Sequence, residues 1–197
     1  MDTNEGTKLA RQGFKQFNRF MLLLWRLGLG SWVNIWPEVG GQILVLTHKG
    51  RKSGALRRTP VNYAVVDGEY YCVAGFGPFA DWYRNLVANP GAEVWLPDGW
   101  WQATAEEITG SEFRLALVRA VLIGSGFASL LAGIDPHKVS DEELDRMTKD
   151  YRLVRLHLIT PRTGPGGPGD LAWVWPLATL LLLALRPRRK KRGCRCC

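Results

Sequence analysis

Cysteine is scarce in this chain of 197 residues, and its four cysteines are not spaced as a framework. Cys72 lies in a strand-like run, whereas Cys194, Cys196 and Cys197 crowd into the last four residues. This distribution excludes a disulfide scaffold and favours a reducing compartment. We expect an unstructured terminal tract, with metal binding and lipid attachment as the alternatives. The start of the chain also lacks the basic segment, short apolar core and cleavage site of a secretory signal.

Excess charge is missing from most of the chain, although its formal net charge is +8. Seven basic residues and no acidic residue lie after Leu185, and the remainder holds 19 basic and 18 acidic residues. A nucleic-acid-binding fold needs a basic face of its own, so no nucleic-acid partner is expected. Hydrophobic residues make up 46% of the sequence, which is enough for one compact domain with appendages.

Catalytic and metal-binding signatures are also absent. His48, His137 and His157 do not have the spacing of metal ligands, and we expect each to be structural or exposed. No Ser–His–Asp arrangement, Walker loop or dinucleotide fingerprint occurs. The sequence therefore predicts no metal site and no catalytic side chain.

What the chain does contain is a series of strand-like runs. Asp67-Gly68 and Pro97-Asp98-Gly99 each separate two such runs, as in tight hairpins. The predicted strands are Gln42–Thr47, Val61–Val66, Glu69–Ala74, Ala92–Leu96, Trp100–Glu106 and Leu153–Thr160. Short helices are predicted at Ala80–Ala88 and after the capping box of Ser140 and Glu143. This order indicates an α+β, mainly β protein, an antiparallel barrel with peripheral helices rather than a doubly wound sheet.

Both ends of the chain carry a membrane signal. Residues 7–27 predict an amphipathic helix whose basic side chains lie opposite an apolar face. The basic residues are Lys8, Arg11, Lys15, Arg19 and Arg26, and the apolar ones are Phe14, Phe17, Met21, Leu24 and Trp25. Such a helix suits an anionic membrane surface, and packing on the barrel is the alternative. Leu171–Leu185 is apolar but short, about 22 Å as a helix against a hydrocarbon core of roughly 30 Å. We expect attachment to membrane lipid and leave crossing open.

Changes of composition divide the chain into four parts. Residues 1–38 form the N-terminal helix and its connection, and residues 39–162 form the barrel domain. A Gly/Pro linker follows at 163–170, and a hydrophobic segment with a basic, Cys-containing tail occupies 171–197.

The connection from Thr47 to Pro60 is the most informative stretch for function. It combines five cationic side chains with hydroxyl groups and glycines, whose backbone N–H groups can approach an anion. The composition suits a phosphodiester or polycarboxylate ligand, and a solvated hairpin loop is the alternative. Thr59-Pro60-Val61-Asn62-Tyr63, Ala74-Gly75-Phe76-Gly77 and Asp81-Trp82-Tyr83-Arg84-Asn85-Leu86 follow it along the chain.

Together these motifs resemble the deazaflavin-dependent nitroreductase family, split β-barrel proteins that use coenzyme F-420. The resemblance covers roughly residues 43–109, through a T-x-x-G-R-K-S-G-x-x-R-x-T-P run followed by W-Y-x-N-L-x-A-N-P. It implies a basic cradle for the coenzyme tail and a set of ring contacts on the strands and helix that follow. The implied cradle residues are Arg51, Lys52, Ser53, Gly54, Arg57 and Arg58. The implied ring contacts are Thr59, Pro60, Val61, Asn62, Tyr63, Ala74, Gly75, Phe76, Gly77, Trp82, Tyr83 and Asn85.

The function that the resemblance implies is hydride transfer from reduced F-420 to an apolar acceptor, a quinone or a nitroaromatic compound. The expected location is the cytoplasmic face of the membrane, and a homodimer is a further expectation. The alternatives are an FMN-dependent enzyme on the same barrel and a non-catalytic membrane protein that binds a flavin, haem or lipid. Family members commonly carry a lysine where this chain reads Gly75-Phe76-Gly77. The loss of that charge bears on the affinity for the coenzyme tail and on the shape of the substrate pocket.

Overall fold

The structure is a computed structural model that describes residues 3–35 and 40–185 and, for residues 3–12, 14 and 15, the backbone alone. The predictions for Lys8, Arg11, Phe14 and Lys15 as side chains, and for the three terminal cysteines, lie outside the described part. The described helices are α1 Thr3–Arg26, α2 Gly30–Val33, α3 Asp81–Ala88, α4 Arg114–Gly124, α5 Phe127–Leu131, α6 Asp141–Thr148 and α7 Val174–Ala184. The strands are β1 Ile43–Lys49, β2 Leu56–Val66, β3 Glu69–Ala74, β4 Gly91–Leu96, β5 Gly99–Glu107 and β6 Arg152–Pro161.

The six strands form a closed antiparallel barrel in the order β1-β2-β3-β6-β5-β4, with β4 returning to β1. Alternate residues of each strand point inward, and the interior is filled by apolar side chains such as Leu44, Leu46, Val94 and Leu156. The helices lie outside the barrel or at its end. The predicted fold class, mainly β with peripheral helices, is confirmed.

The ladder between β2 and β3 is incomplete. These strands pair only at Tyr63–Val66 against Glu69–Cys72, the two sides of the predicted Asp67-Gly68 hairpin. Residues 56–62 of β2 pair with β1, and in the described chain no strand pairs with their other edge. Pro60 lies in this half-paired segment, where its missing N–H costs no ladder hydrogen bond. The residues that follow the basic loop therefore lie on a strand edge that β3 leaves unpaired.

Two helical layers cover the outer wall. Trp25 of α1 packs with Val45, Trp95 and Trp100 on the β1–β4–β5 side. On the β2–β3 side, α4 packs Val118 and its apolar neighbours against the sheet. The sequence did not predict α4 and α5, because their apolar residues show no clear helical period.

The segment of residues 163–170, here called the strap, packs on the barrel. Arg58 donates from Nη2 to the Gly166 carbonyl at 2.6 Å, and the Gly169 amide donates to the Trp25 carbonyl at 3.0 Å. Asp170 forms a bidentate ion pair with Arg26, whose Nε and Nη2 lie 2.9 Å from its carboxylate oxygens. The strap thus fixes the start of α7 against the end of α1.

Every residue of α7 is exposed or half-exposed. Among the described residues, no helix combines the length and the hydropathy needed to cross a bilayer.

Candidate functional site

The loop between β1 and β2 is a tight backbone ring. The Gly50 amide donates to the Ala55 carbonyl at 2.8 Å, and the Gly54 amide donates to the Gly50 carbonyl at 2.8 Å. Gly54 has a φ of +67°, which favours glycine. A Cβ on Gly50 would lie 3.0 Å from Ser53 Oγ and 3.1 Å from Arg57 Nε, so glycine lets these two groups converge. The sequence motif therefore folds into a compact turn that gathers donors.

Several of these donors face solvent without a protein partner. In the part of the chain that the structure describes, the amide groups of Lys52 and Ser53 make no hydrogen bond, and Lys52 and Arg57 make no ion pair. Both side chains are exposed. The loop thus offers backbone N–H groups, a hydroxyl and two cations to one region of solvent, which suits an anion with several oxygens.

Arg51, by contrast, ties the loop to helix α3. Its amide and its Nη1 both donate to Asn85 Oδ1, at 3.1 and 2.9 Å, and its Nη2 donates to Asp81 Oδ1 at 2.9 Å. The Arg51 hydrogen bond lowers the pKa of Asp81, with help from the nearby Arg84 and Arg57. Arg51 therefore supports the loop more than it projects toward a ligand.

A buried hydrogen-bonded chain continues from Asn85 into the barrel. Asn85 Nδ2 lies 3.2 Å from His48 Nδ1, and His48 Nε2 lies 3.1 Å from Thr59 Oγ1. His48 is only 2% exposed. Burial, and then the charge of Arg57, lower the pKa of His48 to about 4, so the imidazole is neutral at pH 7. His48 is therefore structural, the first of the two alternatives that the sequence predicted for it.

Strand periodicity separates the residues that the sequence analysis placed in one loop. The loop ends at Ala55 and β2 begins at Leu56, so Arg57 and Thr59 share one face while Arg58 and Pro60 take the other. Arg58 lies over the Trp95 ring at 4.6 Å and holds the strap. Its side chain is thus on the outer wall, away from the loop.

Several of the implied ring contacts lie where β2 and β3 are unpaired. Val61 and Asn62 lie on the half-paired edge of β2, and Ala74 ends β3 on the other side. Gly77, with a φ of +55°, has no space for a Cβ against the Asp150 carbonyl oxygen, so the chain turns sharply there. Trp82 is partly buried against the barrel interior.

Three residues that the resemblance implied as ring contacts have other partners in the structure. Tyr63 lies in the interior beside Tyr70, with ring centroids 5.9 Å apart. Asn62 donates from Nδ2 to the Gln42 carbonyl at 3.3 Å. Tyr83 donates to Glu107 Oε2 at 2.6 Å, and burial, with that carboxylate, raises the pKa of Tyr83 to about 12. The structure therefore brings together Arg51, Lys52, Ser53, Gly54, Arg57, Thr59 and Asn85, and ligand contact by each stays a prediction.

Sequence reasoning missed three members of this region. His48 and Asp81 complete the hydrogen-bonded chain, and Arg84 adds a third guanidinium near the Asp81 carboxylate. The sequence could have pointed only to Asp81 and Arg84, because they lie inside the motif Asp81-Trp82-Tyr83-Arg84-Asn85-Leu86.

A separate cleft of about 210 Å³ lies between the end of α1, the β4–β5 turn and the strap. It is lined by Trp25, Leu96, Pro97 and Pro168 among others, and no residue of the basic loop lines it. Its volume is below the usual range of sites for drug-sized ligands.

A phosphate-tailed deazaflavin fits the residues around the loop. Lys52, Arg57 and the amides of Lys52 and Ser53 would hold the tail oxygens, and the unpaired edge of β2 would lie beside the planar ring. In the described residues, no group of His, Cys, Asp and Glu could hold a metal ion.

The chain is similar to one known protein family and to several solved structures. The model of the family described as F420H(2)-dependent quinone reductase matches residues 26–135. Among solved structures, the conserved hypothetical protein Rv2991 from Mycobacterium tuberculosis is similar, with 21% identity over 68% of this chain and 79% of that chain and a TM-score of 0.46. The F420-H2 dependent reductase FDR-A has 24% identity, 59% and 93% coverage and a TM-score of 0.43. The heme storage protein HutZ from Vibrio cholerae has 16% identity, 62% and 83% coverage and a TM-score of 0.43.

Proposed function

Because the chain belongs to the F420H(2)-dependent quinone reductase family, we propose that it binds coenzyme F-420 at the basic loop and reduces an apolar acceptor, a quinone first of all. The observation that supports this best is the set of loop donors that have no protein partner in the described part of the chain, next to the unpaired edge of β2. FMN, with one phosphate, would use fewer of these donors, and the family match gives it no support. Nitroaromatic compounds are proposed as secondary acceptors, since they too are planar and apolar.

The chemistry asks the protein mainly for position. When bound, the reduced coenzyme supplies the hydride. Lys52 and Arg57 bind the tail, and the apolar edge of β2 with Trp82 excludes water from the ring. We assign no proton donor from this chain.

A binding titration tests the coenzyme proposal. Purified protein is titrated with F-420 and separately with FMN, followed by the fluorescence of each ligand. The variant Lys52→Ala, which removes the ammonium group, should weaken F-420 binding about tenfold or more, the usual loss for one charge-assisted hydrogen bond. Lys138→Ala is the matched control, because Lys138 is an exposed lysine on the α6 side of the barrel. Equal loss in both variants, or tighter FMN binding, would refute the proposal.

We further propose that the protein works at the cytoplasmic face of a membrane. Leu177 and Leu180–Leu183 of α7 are exposed, as are Phe17 and Phe20 of α1. The ion pair of Arg26 with Asp170 holds the two helices together at their ends. Seven basic residues follow α7 in the sequence, and they would bind acidic headgroups while the leucines enter the interface. A quinone dissolved in the same bilayer would then reach the enzyme by lateral diffusion.

Vesicle binding and acceptor choice test this second part together. Leu182 is 68% exposed on α7, and Leu131, on α5, is 72% exposed and serves as the matched control. Leu182→Asp should reduce sedimentation with acidic phospholipid vesicles about tenfold, because burying a leucine contributes roughly 1.5–3 kcal/mol. It should also slow reduction of a long-tailed quinone and leave a water-soluble quinone unaffected. Equal effects of Leu182→Asp and Leu131→Asp would contradict the proposal, as would a dimer that dissociates in Leu182→Asp without any change in vesicle binding.

A further inference from the structure

The buried chain of hydrogen bonds from the basic loop to Thr59 has a defined direction. Asn85 Oδ1 accepts two hydrogen bonds from Arg51, at 3.1 and 2.9 Å. The amide oxygen is therefore fixed toward Arg51, since the opposite orientation would set an NH₂ group against two N–H donors. Asn85 Nδ2 then faces His48 Nδ1 at 3.2 Å as a donor.

This orientation determines the tautomer of His48. An NH₂ group can only donate, so Nδ1 accepts and carries no proton. The neutral ring keeps its one proton on Nε2, which donates to Thr59 Oγ1 at 3.1 Å. Both ring nitrogens are used inside the protein, and His48 is buried. The side chain therefore acts through Thr59 and not on a ligand directly.

The hydroxyl group of Thr59 is left with a proton to donate. Its oxygen accepts from His48, and within the described chain its hydroxyl hydrogen meets no acceptor. Thr59 is half-exposed and shares its strand face with Arg57. The exposed side chains of Arg57 and Lys52 add positive charge at the same end of the barrel, the end beside the basic loop, here called the mouth. An incoming oxygen acceptor would thus meet a hydroxyl that is already oriented toward it.

We propose that His48 is a positioning residue that makes Thr59 an obligate donor to an oxygen of the bound coenzyme. The proposal rests on the proposed function, because it needs the coenzyme to lie at this mouth. It also links the two ends of the site, since Arg51 in the loop and Thr59 on β2 belong to one hydrogen-bonded chain. The acceptor is a phosphodiester or a ring carbonyl oxygen, which share the same hydrogen-bonding chemistry.

Titration of F-420 with a set of variants tests the proposal. Thr59→Val removes the hydroxyl at nearly constant shape and should raise the Kd about tenfold. His48→Asn keeps an acceptor for Asn85 but no donor that reaches Thr59, and it should weaken binding to a similar extent. His48→Gln places an amide N–H near the position of Nε2 and should keep the Kd within about threefold of the wild type. The double variant of His48→Asn and Thr59→Val should bind no more weakly than Thr59→Val alone, because both changes act on one hydroxyl.

The deazaflavin riboside without its phosphodiester tail separates the two acceptors. If Thr59→Val weakens binding of the riboside as much as that of F-420, the acceptor is on the ring. If the effect occurs only with F-420, the acceptor is in the tail. Either result supports the proposal.

Other results would overturn it. Binding to the wild type that is weakened by Lys52→Ala but unchanged by Thr59→Val would refute the role of Thr59 and leave the proposed function intact. Equal affinities of His48→Asn and His48→Gln, or additive losses in the double variant, would reduce His48 to a structural residue. No binding by the wild type would overturn both proposals.

A spectroscopic measurement on the unmodified protein covers variants that fail to fold. Nitrogen-15 NMR of the histidine rings should show His48 with its proton on Nε2, and this signal should shift when F-420 is added. A proton on Nδ1, or a signal that the coenzyme does not move, would refute the proposal.

Discussion

His48 should make the folded state less stable in mildly acidic solution. Its pKa is lowered to about 4 by burial and by the Arg57 guanidinium, against 6.5 in an unfolded chain. Between these values the unfolded chain binds a proton that the folded protein does not, so stability falls as the pH decreases from about 6.5 toward 4. The charged groups near the ring are Arg57, Asp81 and, through Asn85, Arg51.

The size of the effect follows from the two pKa values. Lowering the pH from 8 to 5.5 should cost about 1.4 kcal/mol of unfolding free energy through His48 alone. In a chain of this length that corresponds to a fall in Tm of roughly 3–6 °C. The window stays above the ordinary range of the carboxylates, so their titration contributes little.

Urea unfolding followed by tryptophan fluorescence at several pH values measures this loss. The difference in the pH dependence of the unfolding free energy between wild type and His48→Leu isolates the contribution of His48 from those of His137 and His157. His48→Leu should lose the 1.4 kcal/mol component, whereas Thr59→Val should keep it, because burial is the larger cause of the shift. Equal pH slopes in wild type and His48→Leu would refute the reasoning.

Three further predictions concern the supports of the site. Arg58→Ala should lower stability by about 2 kcal/mol, because it removes the hydrogen bond to Gly166 and the contact with the Trp95 ring. It should leave the F-420 affinity unchanged in the titration, and a Kd as weak as that of Lys52→Ala would contradict this. Gly77→Ala should destabilise the protein in urea unfolding by at least about 2 kcal/mol more than Gly68→Ala. Both glycines have a positive φ, but only at Gly77 would the new Cβ collide with a backbone carbonyl, that of Asp150. Equal losses of stability would show that the turn at Gly77 relaxes. Asp170→Asn should increase hydrogen exchange at the amides of the strap and the start of α7, measured by mass spectrometry, and unchanged exchange would show that the ion pair does not hold the strap.

Local signals predicted the barrel well. Asp67 and Gly68 adopt φ values of 51° and 80°, the positive angles that a tight hairpin needs, and the strands on both sides pair as predicted. Ser140 Oγ accepts from the Glu143 amide at 3.3 Å, which confirms Ser140 as the N-cap of α6 and so the first half of the predicted capping box. These features depend on residues close in sequence, so a single sequence contains them.

The candidate site was less predictable because its contacts join distant segments. His48 meets Asn85 and Thr59 only after the barrel closes and α3 packs across its end. A lone histidine in an apolar strand gives no sign of such partners. Likewise, α4 is apolar on several faces because it packs both on the sheet and against α6, and this removes the helical period.

The alternation of β2 explains why one sequence motif serves two purposes. In R-x-T-P, the arginine and the threonine are two residues apart and share a face, as Arg57 and Thr59 do at the barrel mouth. The residues between and after them, Arg58 and Pro60, must then face the outer wall, where Arg58 holds the strap. A motif taken as a continuous cradle therefore contains residues that we propose to face the ligand and residues that support the scaffold, and the strand period separates the two sets. This division also connects the proposed coenzyme site with α7, because the strand that presents Thr59 is the strand that anchors the strap.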